Sequence, residues 1–525
     1  MHIARRMKSK ATIAVVLAAF LCAAGVSGYV YWETHHQPNE DTSVNVDKGD
    51  IQTDTGTSNT SKPVAKIPGT LVVDMIPADI SDEENSDSEP FLAVNPENSA
   101  VMAASAFTPN PYGPDSGLAP IFVSSDSGKT WNLRNTVPST LMTADMTETA
   151  AAQKRLFAAI LAHKTFQDIQ KKRPVEYREL SSNDVSGLGV MAVTGSRFRV
   201  DQPWITRFAK DGVENIFVGS NDFAGRGGHT ATLEISSDSG KTFKTIRLET
   251  RRTALQDGPS VRTAIANDGT IYVAYFGWRK RNAAIRNSDV VVLRDDHSAA
   301  GAKTFTDLKG TDGLPGYVVD NVNIPFNPFV PVLGQERVGS TLSLAVDPNN
   351  SGTIYIAWGD QVGDGDIYSV HVRRSTDRGQ SWSGDLRRLT NATCAALAIN
   401  NKGTVGLLYQ QVIGTGHSSR WVTHLEQSLD GFVTVRDAVL STAPADKPDW
   451  GGNLPYIGDY NYLLAIGREF RGVFSANNYP DYDDFPNGVK YLRNADFGSK
   501  RLLDPTGTKQ VQISIDPYYF SVPSI

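Results

Sequence analysis

Carboxylate, arginine and tyrosine side chains stand directly before, or at the start of, six short apolar segments. These positions are Glu89, Asp201 with Gln202, Asp257, Glu336 with Arg337, Asn391, and Asp459 with Tyr460. Carboxylates can exchange protons with a sugar, and an oxygen-rich group can bind a polar ligand or a cation. The same side chains can alternatively bond the backbone of neighbouring strands, which would make their role structural. The pattern predicts a single polar site if the six segments converge.

Each of the six apolar segments is the first strand of a repeated sequence unit. In each unit a turn, a second strand, a loop and a third strand follow it. Two of these segments are followed by similar turn sequences, Asn95-Pro96-Glu97-Asn98 and Asp347-Pro348-Asn349-Asn350. The repeat predicts antiparallel units whose first strand is the innermost. The predicted inner strands are 91–94, 204–208, 261–265, 342–346, 395–399 and 462–466.

A second pattern follows the third strand of three units. It reads Ser124-Ser125-Asp126-Ser127-Gly128-Lys129-Thr130-Trp131 and returns around Asp238 and Asp377. The aspartate can accept hydrogen bonds from backbone N–H groups of its own turn, and the glycine provides a position with φ > 0. The pattern therefore predicts a tight hairpin between the third and fourth strands.

This pattern resembles the Asp-box, or BNR repeat, of the sialidase superfamily. The resemblance implies an all-β fold, a six-bladed β-propeller over residues 69–525, and the count of six units agrees with it. Segment 70–88 or the tail 510–525 is expected to supply a strand that closes the ring. Ser428-Leu429-Asp430-Gly431 reads as a shortened Asp-box.

Alternating strand direction divides the connections between two faces of the ring. The Asp-box turns share a face with the short turns between first and second strands, whereas the long loops lie on the opposite face. Long loops on a rigid scaffold usually carry the binding residues. Asp126, Asp238 and Asp377 are therefore expected to be structural, and the site is expected on the long-loop face.

The sialidase resemblance also implies particular roles for site residues. By position in the blades, the nucleophile is expected at Tyr460, with Tyr462 as the alternative, Glu336 as its partner and Asp201 as the acid/base. Arginines that hold a substrate carboxylate are sought among Arg337, Arg262, Arg226 and Arg420, with Asp257, Glu89 and Asp459 as further substrate-binding candidates. The Arg-Ile-Pro phrase of true sialidases is absent.

The largest insertion, 134–200, contains apolar residues spaced as in an amphipathic helix over 150–172. Such a helix would either pack on the rim of a blade or act as a lid over the central funnel. Two acidic loops, 360–366 and 481–484, carry oxygen ligands suited to a structural Ca²⁺, although a solvated acidic loop is the alternative. No other cofactor is expected.

The N-terminus has the composition of a targeting segment. Basic residues from Arg5 to Lys10 precede an uncharged apolar run from Ala11 to Tyr31. Residues 1–32 are predicted to be a signal peptide or a membrane anchor, and 33–68 a disordered linker. Either alternative places the remaining chain outside the cytoplasm, secreted, periplasmic or anchored by one span.

The net charge of −6 and a pI of about 5.9 give no indication of a nucleic-acid partner. Two functions therefore compete. One is an exported glycoside hydrolase of exo-α-sialidase type that acts on a glycan or glycoconjugate. The other is a non-catalytic propeller that binds a glycan or an envelope protein, which the missing Arg-Ile-Pro phrase favours.

Overall fold

The computed structural model describes residues 66–107, 118–138, 146–151, 155–161, 175–180, 192–222, 230–251, 257–281, 285–301, 303–325, 332–362, 367–449 and 454–525. The chain divides into two units, Met1–Ala65 and Lys66–Ile525, and all described strands belong to the second. The predicted signal or anchor segment and most of the predicted linker lie outside the described residues. Within the described ranges no helix is long and apolar enough to cross a membrane.

Seven sheets form the ring in the described part of the chain, and we number them in chain order by their inner strand. Neighbouring strands are antiparallel in all of them except for one parallel pair in sheet 7. Sheet 1 consists of Ser88–Val94, Met102–Phe107, Leu118–Ser124 and Asn132–Pro138. Sheet 2 consists of Met146–Ala151, Arg155–Leu161, Val175–Leu180 and Ala192–Arg197. Sheet 3 consists of Val200–Lys210, Val213–Asp222, Thr230–Ser236 and Lys244–Arg247. Sheet 4 consists of Asp257–Ile265, Ile271–Arg281, Ile285–Asp295 and Tyr317–Pro325. Sheet 5 consists of Leu342–Asp347, Asn350–Gln361, Tyr368–Ser375 and Arg387–Thr390. Sheet 6 consists of Ala392–Ile399, Val405–Ile413, Arg420–Ser428 and Arg436–Pro444.

Sheet 7 joins the two ends of the propeller. From the inside outward its strands are Tyr462–Ile466, Glu469–Asn477, Ile515–Pro523, Leu71–Asp74 and Lys490–Tyr491. Leu71–Asp74 runs antiparallel to the C-terminal strand, with Val73 opposite Tyr519. Both segments that the sequence offered for closure are therefore used, side by side in one sheet.

The inner strands contact one another in succession, and sheet 7 contacts sheet 1, so the sheets form a closed ring. The arrangement is an all-β propeller, and it has seven sheets instead of the predicted six. Sheet 2 is the additional one and lies within the insertion that was predicted to be helical.

The helix prediction for residues 150–172 is wrong where the structure describes them. Arg155–Leu161 is a strand whose last six side chains are all buried. Both faces of this strand are covered, by sheet 1 on one side and sheet 3 on the other. A strand buried on both faces has no alternation of apolar and polar residues, and its continuous apolar run resembles a helix in sequence.

Large apolar side chains fill the spaces between successive sheets. Trp358 of sheet 5, for example, is fully buried in a cluster with Phe276 and Val290 of sheet 4. Burial of a side chain of this kind contributes about 1.5–3 kcal/mol. Because each sheet is covered on both faces, the ring holds the starts of its inner strands in fixed positions.

The three Ser-x-Asp turns have the predicted hydrogen bonds. In the second, Asp238 Oδ1 accepts from the backbone N–H of Thr242 at 2.9 Å, and Oδ2 accepts from the Thr242 hydroxyl at 2.5 Å. The Ser236 hydroxyl oxygen accepts from the Gly240 N–H at 2.9 Å. All three turns connect the third and fourth strands of sheets 1, 3 and 5.

A fourth turn, in sheet 6, has the same bonds although its sequence looked incomplete. Asp430 Oδ1 accepts from the Thr434 N–H at 2.9 Å, and the Ser428 oxygen accepts from the Phe432 N–H at 2.8 Å. Phe432 has φ 69° and stands where the other turns have glycine, while Gly431 at φ 71° precedes it. The Phe432 ring is buried 6.3 Å from Tyr355 of sheet 5.

Short elements complete the described chain. The 3-10 helices are Ala78–Ile80, Val338–Ser340, Gly416–Ser418 and Tyr482–Asp484. A small sheet outside sheet 7 consists of Ala495–Asp496, Arg501–Leu503 and Gln510–Val511.

Candidate functional site

Irregular starts of the inner strands direct polar side chains toward the centre of the ring. The register shifts after Ser88, Asp201 and Thr393, which marks a bulge at the start of sheets 1, 3 and 6. The residues that follow are Glu89, Gln202 and Cys394, with φ values of 54°, 48° and 54°. A bulge re-aims a side chain that would otherwise continue the alternation of the strand. These three residues contribute to one cluster with Arg337, Tyr456 and Asp459, which we call the central polar cluster.

An arginine–aspartate pair forms the middle of this cluster. Arg337 Nε donates to Asp459 Oδ1 at 2.7 Å, and its Nη2 lies 2.6 Å from Oδ2. Such a two-bond contact uses the planar fork of the guanidinium and fixes its orientation. The Arg337 side chain keeps 24% of its surface exposed while Asp459 is buried, so the arginine is the member of the pair that reaches solvent.

Tyr456 lies between two carboxylates. Its hydroxyl is 2.8 Å from Asp459 Oδ1 and in hydrogen-bond contact with Glu89 Oε1, and it accepts from Arg337 Nη2 at 3.0 Å. A phenol has a single proton, so it donates to one carboxylate at a time. Burial raises the pKa of Tyr456 well above its ordinary value, although Arg337 opposes this. The phenol is therefore protonated at neutral pH.

Hydrogen bonds from sheet 3 and from the 3-10 helix Val338–Ser340 hold Asp459. Its Oδ2 accepts from Gln202 Nε2 at 2.6 Å and from the Ser340 hydroxyl at 3.0 Å. Ser260 donates to the Ser340 carbonyl at 2.8 Å. Asp459 is 1% exposed and has partners on both oxygens, so its carboxylate is fixed in place.

Glu336 and Cys394 support the segment that carries Tyr456 and Asp459. Glu336 Oε1 accepts from the Ile457 N–H at 2.7 Å, and Cys394 Sγ donates to the Gly458 carbonyl at 3.1 Å. Burial raises the pKa of the Glu336 carboxyl and of the Cys394 thiol, which favours the uncharged form of each. A side chain at Gly458, where φ is +122°, would place its Cβ 2.6 Å from the Glu89 backbone nitrogen.

Aromatic rings lie next to the polar cluster, further along the inner strands. Phe91 stacks on Tyr462 at 3.7 Å and meets Trp204 edge-on at 4.9 Å, and Tyr460 lies 5.4 Å from Trp204. The guanidinium of Arg262 stands 3.9 Å above the Trp204 ring and donates to the Leu342 carbonyl at 3.2 Å. We call these rings the aromatic floor, because they fill the centre of the ring beneath the polar cluster.

The structure brings together part of the predicted site. Glu89, Glu336, Arg337 and Asp459 converge at the central polar cluster, as the sequence suggested for the inner-strand starts. Tyr460 lies in the aromatic floor at 4% exposure, and Arg262 is buried beside it at 2%. Their predicted roles, and the pairing of Tyr460 with Glu336, remain predictions.

The other predicted site residues lie elsewhere or are not described. Arg420 is on the rim, where its Nη1 is 2.7 Å from Asp484 Oδ1. Asp201 is half-buried at the start of sheet 3, opposite Asn221. Arg226 lies outside the described residues, as does the side chain of Asp257.

Sequence reasoning did not select Tyr456 or Cys394. Tyr456 lies in the long connection before the last inner strand, three residues ahead of Asp459, in Pro455-Tyr456-Ile457-Gly458-Asp459. Its place in a long connection on the expected face was the available signal. Cys394 had none, because a single cysteine in an apolar strand looks like an ordinary core residue.

The acidic loops engage other parts of the protein. Asp481 is paired with Lys500, and Asp484 with Arg420. Asp360 contacts His371 Nε2 at 3.1 Å, while residues 363–366 of the same loop lie outside the described part of the chain. Calcium binding at these loops remains a prediction.

Comparison with known proteins gives only distant similarities. No family model and no curated protein sequence matches the chain. A GH74 enzyme from Niastella koreensis is 13% identical over 76% of this chain with a TM-score of 0.39, and the chain spans 64% of that enzyme's length. An α-L-arabinanase from Penicillium chrysogenum is 11% identical over 86% of this chain and 98% of its own (TM-score 0.40). A PL25 ulvan lyase is 12% identical over 75% and 92% (TM-score 0.45). Similarities of this size give no information about activity.

Proposed function

We propose that the protein is an exported glycoside hydrolase that acts on an extracytoplasmic glycan at Tyr456. The observation that carries this proposal is the position of the Tyr456 hydroxyl between Glu89 and Asp459, beside Arg337. A tyrosine with a carboxylate in hydrogen-bond contact is the arrangement of a phenol nucleophile with its base. Export rests on the apolar N-terminal segment, which predicts a signal peptide or anchor.

The proposed reaction begins with proton transfer from Tyr456 to Glu89. Because the phenol is protonated at neutral pH, it needs a base at the moment of attack. The tyrosine oxygen bonds to the anomeric carbon while the bond to the leaving group breaks, and an acid protonates the departing oxygen. Water then displaces the tyrosine and gives a proton to the conjugate base of that acid, while Glu89 returns its proton to the Tyr456 oxygen. One glycosidic bond and one water thereby yield two hydroxyl groups.

Asp201 remains our candidate for the acid/base, since it is half-buried at the start of sheet 3 and keeps some contact with solvent. Asp459 is unsuited to that step because both of its oxygens accept hydrogen bonds from other groups of the cluster. Its role in the proposal is to orient Arg337 and the Tyr456 hydroxyl. Arg337, in turn, offers positive charge next to the developing phenolate.

The sialidase type is the finer form of this proposal. It requires several arginines around one substrate carboxylate, and Arg337 is the arginine at the central polar cluster among the described residues. A seventh sheet also departs from the six-bladed ring that the resemblance implied. Sialic acid is therefore one substrate class to be tested beside neutral sugars.

The test compares two tyrosine variants on a panel of 4-methylumbelliferyl glycosides that includes the sialoside. We expect Tyr456→Phe to lower kcat/KM by about 10³-fold or more, and Tyr460→Phe to retain most activity. Glu89→Gln should lower kcat with the same substrate. Loss of activity in Tyr460→Phe alone would contradict the assignment and favour the nucleophile expected from the sequence.

A second candidate is a non-catalytic propeller that binds a glycan or an envelope protein. It is favoured by the bonding of the central polar cluster, in which the fork of Arg337 and both oxygens of Asp459 already have partners. No turnover on the panel, together with binding to a glycan array, would support this candidate over the enzyme.

A further inference from the structure

Tyr482 is an unusually exposed aromatic side chain on the long-loop face. It belongs to the connection between Glu469–Asn477 and the outer part of sheet 7, and 62% of its surface is exposed. One face of its ring stacks on Phe497, with centroids 4.0 Å apart and planes inclined by 13°. Since one face is covered and most of the side chain is accessible, the opposite face of the ring is open to solvent.

A chain of contacts behind Tyr482 makes this ring rigid. Phe497 meets Tyr491 edge-on at 5.0 Å, and the Tyr491 hydroxyl is 2.9 Å from that of Tyr518. Tyr518 is fully buried in the C-terminal strand of sheet 7. The open ring is therefore supported by the core, and binding on it would cost little additional side-chain entropy.

Paired charged groups lie next to Tyr482 in the chain, one before it and one after it. Asp481, immediately before it, pairs with Lys500, and Asp484, two residues after it, pairs with Arg420 at 2.7 Å. The Lys500 and Arg420 side chains remain 43% and 45% exposed. Each cation is held in place by its carboxylate and can still donate hydrogen bonds outward.

We propose that Tyr482 is the stacking platform of a second glycan-binding subsite, distinct from the central polar cluster. The C–H groups on one face of a sugar ring pack on an open aromatic face, and its hydroxyl groups accept hydrogen bonds at the edges of that face. Here Lys500 and Arg420 supply the donors, and the partly exposed carboxylate of Asp481 can accept. Arg420, which the sequence offered as a substrate-binding residue, binds the glycan at this subsite.

The proposal that this subsite binds a glycan rests on the proposed function for the class of ligand, and on nothing else in the proposed reaction. The subsite would hold part of a long glycan on the rim and raise the local concentration of chain ends or linkages at the centre. It is independent of turnover, so it can be tested in a protein that does not hydrolyse its ligand.

The structural alternative is that Tyr482 merely covers Phe497. A leucine at this position would also cover Phe497, but it has no flat face for a sugar. The Tyr482→Leu variant therefore separates the two roles, because a covering role predicts normal binding and a stacking role predicts loss of binding.

The experiment is done in the full chain with the Tyr456→Phe substitution, so that no probe is consumed. Binding is measured on a glycan array of neutral and acidic polysaccharides, and then by affinity electrophoresis with the probe that gives the strongest signal. We expect Tyr482→Ala and Tyr482→Leu to weaken retention at least 10-fold, and Tyr482→Phe to stay within 2-fold of its parent. Phe198→Ala removes another exposed aromatic side chain (53% exposed) and is the matched control, with no expected effect.

Three outcomes would overturn the subsite: no retention of the parent by any glycan, normal retention of Tyr482→Leu, or an equal loss in Phe198→Ala. Thermal melts of each variant check that the propeller is intact. Loss of retention in both Tyr482 variants while the wild type hydrolyses no glycoside would reject the proposed reaction and leave the subsite standing.

Discussion

Replacement of Asp238 by alanine tests whether the Ser-x-Asp turns stabilise the propeller. The carboxylate accepts four hydrogen bonds: from the Ser236 hydroxyl (2.7 Å), the Lys241 N–H (3.1 Å), the Thr242 N–H (2.9 Å) and the Thr242 hydroxyl (2.5 Å). The turn is exposed, so water replaces part of each bond in the variant. We therefore expect a loss of about 1–2 kcal/mol in the free energy of unfolding, well below the sum of four buried bonds.

The pH dependence of this loss follows from the pKa of Asp238. Slight burial opposes ionisation, but the hydrogen bonds from Thr242 and Ser236 outweigh it and lower the pKa to about 2. A lowered folded-state pKa stabilises the fold above the unfolded-state pKa of about 3.9, and the stabilisation disappears as pH falls toward 2. The difference between wild type and Asp238→Ala should be complete at pH 6 and should shrink below pH 4.

Urea unfolding and thermal melts at pH 6 and at pH 3 measure the effect. For a chain of this size the expected shift in Tm at pH 6 is roughly 1–2 °C. Asp238→Asn is the control, since it retains one acceptor oxygen and should lose less. Equal stability of wild type and Asp238→Ala at pH 6 would refute the stabilising role of the turn.

Two further predictions concern charged groups elsewhere in the ring. Burial lowers the pKa of His371, but its hydrogen bonds with Asp360 and Asp385 outweigh this effect and raise the pKa to about 9. The protonated imidazole should therefore stabilise the fold by at most about 3 kcal/mol below pH 6.5, and this stabilisation should be lost as the pH rises through 9. Thermal melts of His371→Gln should not show this alkaline loss. Arg493 is fully buried, lies 2.6 Å from Asp516 and donates to the carbonyls of Ser81 and Glu83. Arg493→Ala removes the cation that faces the buried carboxylate of Asp516, which keeps hydrogen bonds from Asn478 and Ser514, and should cost about 3–5 kcal/mol in urea unfolding. A loss below about 1 kcal/mol would show that the closure of sheet 7 does not depend on this pair.

The features that the sequence predicted well are those with local physical causes. The turn around Asp238 forms its bonds within seven residues, so its sequence pattern determines its geometry. The inner strands are bounded by turn residues, and their starts do converge at Glu89, Arg337 and Asp459.

The features that the sequence missed depend on distant parts of the chain. Sheet 2 looked helical because both of its faces are buried by neighbours that the local pattern does not show. The turn at Asp430 looked incomplete because Phe432, at φ 69°, occupies the glycine position and packs against Tyr355 of the next sheet. Tyr456 joins the site because Glu336 and Cys394, which are distant in sequence, hold the Ile457 N–H and the Gly458 carbonyl.

The strained starts of the inner strands bear on the proposed role of the central polar cluster. Glu89, Gln202 and Cys394 all have φ values near +50°, a conformation that costs a residue with a side chain about 1 kcal/mol more than glycine. Glycine at these positions would relieve the strain, but it would remove the side chains that contact Tyr456, Asp459 and the Gly458 carbonyl. Three strained residues from three sheets therefore serve the same short segment. Because strain of this kind is often found at ligand and catalytic sites, it supports the proposal that residues 456–459 belong to the functional site.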